Sequence, residues 1–239
     1  MNVKRGSAEL NESARATTKD KIYQSLRADI ISHRLKPGQP IREDELAQKY
    51  GISRTPIREM LRRLEQEDLV KIVPNVGVYI SELTAKDIEE VLDLRIWLET
   101  AAARAAASRV KEEHLEQLRE IDKQLDLAVK MQDSILSFEA DGKLHDLILV
   151  AAGNARARRI IHNLLGQIHR IRFISGHKPG RINTTVAEHK QIVAALIDRD
   201  PEKAAASMKV HLVNTKEILL PSSEMEEKFA SFVRNSFSL

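Results

Sequence analysis

Cysteine is absent from the 239 residues, which excludes disulfides and thiolate-ligated metal sites alike. Aromatic residues are scarce, at 4%, while alanine and leucine are plentiful, a balance that leans towards helices packed on helices. No apolar run approaches the roughly 18 to 20 residues that a membrane span needs. Residues 1–18 are polar and mixed in charge, with neither a period nor the apolar stretch of a secretory signal. They are expected to be disordered, and the protein to be cytoplasmic with no membrane partner. A phosphate loop, a nucleophile elbow and a His-Glu-x-x-His motif are missing too. What is present is apolar material at 42% of the chain, sufficient for one large or two modest cores. Net charge is +3, and residues 1–75 hold 15 Lys/Arg against 11 Asp/Glu, so the basic excess sits in the N-terminal third.

That third is organised around Ser53-Arg54-Thr55-Pro56-Ile57-Arg58. Ser53 is a plausible helix N-cap, and Pro56 is tolerated because a first turn has no intrahelical N–H partner to lose. Ile57, Met60, Leu61 and Leu64 follow the i, i+3, i+4, i+7 pattern of a buried face. Arg54, Arg58 and Arg62 recur every four residues along another face, followed by Arg63. Alone, such a stripe reads as a solvated surface. What precedes it changes the reading: Glu43 to Tyr50 fits a short helix with Leu46 and Ala47 inward, and Gly51-Ile52 a tight turn into Ser53. Helix, glycine turn and a helix with cations at its start make a helix-turn-helix, whose second helix enters the DNA major groove. Upstream, Thr18 caps a predicted helix from Lys19 to about Leu35, with Ile22, Leu26, Ile30 and Ile31 inward. Pro37-Gly38 breaks it, and Pro40-Ile41 is a short extended link. Downstream, Leu69 to Val73 and Val78 to Ile80 are β-branched runs joined by a turn at 74–77, a two-stranded wing.

Tyr23, Leu26, Ile30, Leu35, Pro37-Gly38, Leu46-Ala47, the run Gly51 to Glu59, Leu61, Leu64, Leu69-Val70 and Gly77 together resemble the winged helix-turn-helix of the GntR family of bacterial transcription regulators. The match covers about residues 19–80, in a domain placed at 19–82. The resemblance implies that Arg54 and Arg58, with Thr55 and Ser53 at the helix start, contact operator bases and phosphates. It also implies that Asn75 and Gly77 approach the DNA from the wing tip. Two positions depart from the family: Asp44 stands where some relatives carry a DNA-contacting arginine, and Val76 where wings often carry a basic residue. Both point to fewer phosphate contacts or a different operator.

Thr84 opens a second domain, placed at 83–221, with Asp87 completing a capping box. Helices are predicted at roughly 84–107, 111–131, 134–152, 155–175, 182–199 and 201–219, without a convincing strand. Asp200-Pro201 is a helix start signal. Gly153-Asn154 ends one helix and caps the next, and Pro179-Gly180 punctuates a loop. The tail at 222–239, containing Phe229, Phe232 and Phe237, is either a short docking helix or frayed.

This domain carries polar groups on apolar faces. Asp141 and His145 share one with Leu144 and Ile148; His189 lies with Val186, Val193 and Leu196; His211 with Ala204, Met208, Thr215 and Ile218. Taken singly, each histidine reads as a satisfied core residue. An Asp–His pair at i, i+4 with two further inward histidines reads better as one shared centre, because burying a lone carboxylate costs several kcal/mol. Three neutral imidazoles and a carboxylate suit a borderline divalent ion, Zn²⁺ first, with Ni²⁺ or Mn²⁺ as alternatives. His33, His114, His162, His169 and His177 have no such constellation and read as surface or ordinary polar residues.

Asp141-x-x-Leu144-His145, Gly153-Asn154, Glu188-His189 and His211-Leu212 also resemble the FadR-like (FCD) effector domain, an antiparallel helical bundle. The resemblance implies a divalent metal on Asp141, His145, His189 and His211, with positions left for water or a small carboxylate effector. Arg95, with Glu99 one turn on, matches the first helix of that domain; it either pairs with the effector carboxylate or makes a salt bridge with a helix neighbour. The function expected is a ligand-responsive regulator, a repressor, binding palindromic double-stranded DNA as a homodimer. The alternative is a metal-dependent, hydrolase-like enzyme, for which Glu188 is the acid nearest the metal in sequence.

Overall fold

A computed structural model describes residues 19–176 and 180–220. The chain divides into two compact units, the first running to Leu83 and the second starting at Thr84. The expectations for 1–18, for His177 and Pro179, and for the tail from Pro221 lie outside the described residues.

In the first unit, α1 spans residues 19–31. It stops short of Leu35 because His33 takes a left-handed φ of 56°, and the amide of Leu35 bonds back to Asp29. Helix α2 (Glu43–Tyr50) ends on Gly51 in the left-handed conformation at φ 63°, which closes the turn into α3 (Arg54–Gln66). Ser53 has the extended N-cap backbone but its side chain makes no capping bond. Leu46 and Ala47 are half-buried rather than inward. The hairpin β2 (Val70–Val73) and β3 (Gly77–Ile80) forms as expected, and the supposed link is a third strand, β1 (Pro40–Ile41). The sheet order is β1-β3-β2, antiparallel, with Ile41 opposite Val78. Extension at Pro40-Ile41 thus supplies an edge pairing that steadies a hairpin only marginally stable alone. Ile22, Leu26, Ile30, Ile57, Leu61, Leu64, Leu69, Val78 and Ile80 make the core.

The second unit is helical throughout its described residues: α4 (Ala85–Ala107), α5 (Glu112–Met131), α6 (Ser134–Ala152), α7 (Ala155–Asn163), α8 (Leu165–Gly176), α9 (Arg181–Ile197) and α10 (Pro201–Leu219). The capping box is complete: the Asp87 amide donates to Thr84 Oγ1 at 3.1 Å, and the Thr84 amide donates to Asp87 Oδ2 at 2.8 Å. Asp133, Asn154 and Asp200 cap α6, α7 and α10 through their side-chain oxygens, which accept from first-turn amides without the reciprocal bond. The predicted helix at 155–175 is two helices, because the Leu164 amide tightens back onto Ile161 and leaves the helical path there. Helix α4 packs against α10 and α6, and α5 against α6 and α9. Ile218 is only half-buried; Leu219 fills the core at the end of α10.

Leu61 is fully buried between α3 and its neighbours. Leu61→Ala is expected to cost the first unit about 2–5 kcal/mol, read as lost hydrogen-exchange protection at the Leu64 and Val78 amides, with the second unit unaffected.

Candidate metal centre and DNA-reading surface

Helix α6 presents Asp141 and His145 one turn apart, α9 presents His189 and α10 presents His211; all four are buried, and their ligand-type atoms lie within 4.8 Å of one another. Asp141 Oδ1 is 3.2 Å from His145 Nε2 and 3.0 Å from His189 Nε2, and His189 Nε2 is 3.2 Å from His211 Nε2. Donors held about 2.0–2.2 Å from one divalent ion stand roughly 3 to 3.5 Å apart around it, so these separations fit. His145 Nε2 has no hydrogen-bond partner despite its burial. An unsatisfied buried nitrogen beside a carboxylate and two other ring nitrogens is what a shared cation would satisfy.

For His145 and His211 the outward ring nitrogens explain why the inner ones face the centre, whereas the buried Nδ1 of His189 has no hydrogen-bond partner. His145 Nδ1 meets Glu99, whose other oxygen accepts from Arg95 Nε at 2.6 Å. His211 Nδ1 lies 2.8 Å from Glu188 Oε2, and Glu188 is held by Arg181 at 3.0 and 3.1 Å and by Asn214 at 2.9 Å. A carboxylate on Nδ1 fixes the tautomer that leaves the Nε2 lone pair pointing inward. Asp141 turns its second oxygen to Arg172 Nε, 2.6 Å away. Burial pushes the Asp141 carboxyl up, but Arg172 and the neighbouring imidazoles outweigh it and hold it well below the usual range. Burial likewise pushes Glu188 up, and its bonds to His211, Arg181 and Asn214 bring it down to about 2. Burial lowers His189, and burial with His189 alongside lowers His211 to about 3. Both rings are therefore neutral near pH 7, the form that ligates.

The predicted set Asp141, His145, His189 and His211 is thus brought together. Arg95 does point inward, 1% exposed, but it bonds Glu99, the helix neighbour, and its Nη2 stands 3.3 Å from His145 Nδ1. Glu188 is no free base: both its oxygens are engaged, which removes the acid that the hydrolase alternative needs. Arg172, Arg181 and Asn214 escaped the sequence reading. Arg181 and Glu188 are seven residues apart on α9, a spacing that could have marked them. Nothing marks Arg172, because the break at Leu164 resets the phase of α8. His33, read as surface or ordinary, is buried at 5% exposure.

On the first unit, Ser53, Arg54, Thr55 and Arg58 lie exposed at the start of α3. Asn75, with a left-handed φ of 60°, and Gly77, at φ 150°, lie exposed at the hairpin tip. Arg63 leaves the stripe: its guanidinium sits 3.8 Å over the Tyr23 ring and pairs with Asp20. Two α2 acids hold two of the other arginines, Asp44 Oδ1 at 2.7 Å from Arg54 Nε and Glu43 Oε2 at 2.7 Å from Arg58 Nε. Asp44, whose place in the sequence suggests fewer phosphate contacts or a different operator, is a partner of Arg54.

Acid stability follows from the buried imidazole. The unfolded chain protonates its histidines near pH 6.5, whereas native His211 stays neutral down to about pH 3, so acid favours unfolding. Chelated protein should lose about 1.4 kcal/mol of stability per pH unit from His211 alone as pH falls below 6.5, measured by urea titration from pH 7 to 5 against His211→Gln.

Comparison with known proteins identifies both units. The family model described as "Bacterial regulatory proteins, gntR family" matches residues 18–80, and the FCD domain model matches residues 90–214. The chain is 30% identical over 196 residues to the HTH-type transcriptional repressor RspR of Escherichia coli K12, covering 82% of this chain and 86% of that protein. It is also 30% identical over 194 residues to the HTH-type regulator YdhC of Bacillus subtilis, covering 80% and 85%. Among solved structures, a GntR transcriptional regulator from Rhodococcus sp. RHA1 superposes with TM-score 0.70 over 85% of this chain and 98% of that one, at 21% identity, a likeness of fold. These relatives are regulators rather than enzymes. Among the described residues no helix is long and apolar enough to cross a membrane. The chain belongs to the GntR family of transcription regulators, joining a DNA-binding helix-turn-helix to an FCD domain whose Asp/His cluster suggests a metal-binding site.

Proposed function

We propose that the protein is a repressor that binds a palindromic operator as a homodimer and is controlled by a small organic acid held at a divalent metal. The observation that carries this reading is the convergence of Asp141 Oδ1 and the histidine Nε2 atoms, at 3.0–3.2 Å, from three different helices. Their nitrogen-rich donor set favours Zn²⁺, with Ni²⁺ or Mn²⁺ as alternatives. When bound, such an ion is a Lewis acid with coordination positions left for water or a carboxylate oxygen. Arg95 is the residue we assign to the acid's carboxylate: it is buried, its Nη2 lies 3.3 Å from Nδ1 of the cluster histidine His145, and Glu99 holds its Nε. To control DNA binding, the acid must have different affinities for the competent and incompetent states.

At the operator, Arg54 and Arg58 read bases, and Ser53, Thr55, Asn75 and Gly77 line the same surface. An arginine anchored through Nε keeps its terminal Nη1/Nη2 edge for the bidentate contact that recognises guanine. RspR, a repressor by name, supports the sign of regulation.

The test of the sensor is calorimetric titration of mono-, di- and hydroxycarboxylic acids into metal-loaded and chelated protein. Saturable binding to the loaded form without turnover is expected, and lost in His189→Ala; turnover would restore the enzyme, and absence of binding in every form would leave a structural metal. At the DNA, Arg54→Ala should cost about 1–3 kcal/mol of operator affinity. Asp44→Ala should raise affinity for random DNA while narrowing the operator-to-random ratio, as read by fluorescence anisotropy at fixed salt.

A further inference from the structure

The turn between α5 and α6 carries apolar side chains that packing leaves uncovered. Leu127 and Met131, one turn apart on α5, and Ile135, in the first turn of α6, are 45%, 62% and 71% exposed. Single apolar residues scattered on a surface need no explanation, but three gathered at one turn mark a docking place. The acids beside them are engaged: Asp126 binds Lys190, and Asp133 caps α6. Lys130, exposed and set between Leu127 and Met131, makes no ion pair among the described residues. An apolar segment edged with carboxylates is the occupant that this surface suits.

The chain itself supplies such a segment within reach. Helix α10 finishes beside the start of α9, where Arg181 Nη2 donates to Thr215 Oγ1 at 3.1 Å. The start of α9 lies in turn beside the α5–α6 turn, where Gln132 Nε2 donates to Asn183 Oδ1 at 3.3 Å. Packed helices stand about 8–10 Å apart, so the two steps from α10 to α5 cover roughly 16–20 Å. Leu219 closes α10, and the chain from there to Met225, drawn out, spans about 20 Å. Beyond that point the sequence changes character. Ser223 and Glu226 have the spacing of a capping box, and acids at 224, 226 and 227 suit a first helical turn. Met225, Phe229, Phe232 and Val233 follow i, i+4, i+7, i+8, the stripe of a helix with one apolar face. Three of the chain's five phenylalanines stand at 229, 232 and 237, a large apolar load to leave in water. Glu224 and Glu226 flank the stripe and answer Lys130. The nearby start of α4 is a poorer berth: Glu89, Glu90 and Asp93 repel those acids, and Lys216 is already bound to Glu89 and Asp93. We propose that residues 224–234 fold as a helix across the α5–α6 turn of the same chain, with Met225, Phe229 and Phe232 on Leu127, Met131 and Ile135.

The chain has no cysteine, so cysteine pairs introduced into the full-length protein report proximity cleanly. Met131→Cys with Phe232→Cys should close an intramolecular disulfide under mild oxidation, which needs Cβ atoms about 3.5–4.5 Å apart. Glu116→Cys, near the other end of α5, with Phe232→Cys should not. In hydrogen exchange, the amides of residues 228–233 should be protected about 10-fold or more relative to an unstructured chain. Ile135→Ser, a surface change, should remove most of that protection while the thermal melt of the bundle stays where it was. Lys130→Glu should reduce the protection roughly 2- to 5-fold. A disulfide that forms only between chains places the segment on a second copy and overturns docking within one chain. Protection that survives both Ile135→Ser and Lys130→Glu overturns the docking place. Unprotected amides without a disulfide overturn the helix and its docking place together.

Discussion

Buried charge is the constraint on which the second unit depends. Glu99 and Asp141 would each cost several kcal/mol if left unpaired in the interior, the half-buried Glu188 would cost less, and each is met by a guanidinium: Arg95, Arg172 and Arg181 respectively. These six residues come from α4, α6, α8 and α9, and His211 adds α10. The helices therefore cannot slide without stranding a charge. Three carboxylates against three guanidiniums leave the protein side of the cluster formally neutral. On the proposed reading, a divalent ion adds two uncompensated positive charges in a poorly solvated place, and an organic anion is the natural counterweight. Affinity for an acid and burial of the metal are then one electrostatic fact.

The same use of charge recurs in the first unit at the surface, where its role is different. Exposed ion pairs contribute little to stability, so Asp44–Arg54 and Glu43–Arg58 are better understood as orientation of side chains than as glue. A long, flexible arginine otherwise gives up rotamer entropy when it docks on a base. On the proposed reading, holding Nε in advance lowers that cost and discourages contact with any nearby phosphate, trading general attraction to DNA for selectivity. A helix opened by Glu43, Asp44 and Glu45 beside a basic recognition helix has that logic.

Much of this was legible in the sequence, for identifiable reasons. Helical periodicity carries burial, so the inner faces of α3, α6, α9 and α10 and the four-residue cluster could be read from spacing. Caps carry chemistry of their own, so Thr84, Asn154 and Asp200 marked starts. What stayed hidden depends on distances between elements. The third strand is two residues long and exists through its pairing with β3. The break at Leu164 falls on a leucine, and it sets where Arg172 points. Asp44, Arg63 and Arg95 each have several possible partners within reach, and tertiary geometry selects among them. Charged side chains at the site were thus named more readily than paired.

The claim that most of the rest leans on is that one cation sits among Asp141, His145, His189 and His211. X-ray absorption at the metal edge of protein reconstituted with one equivalent of Zn²⁺ addresses it directly. The expected spectrum has nitrogen and oxygen neighbours at about 2.0–2.1 Å and the outer-shell scattering of three imidazoles, falling to two in His189→Ala. A spectrum with one imidazole or none, or one unchanged by His189→Ala, would contradict a shared cation at this cluster.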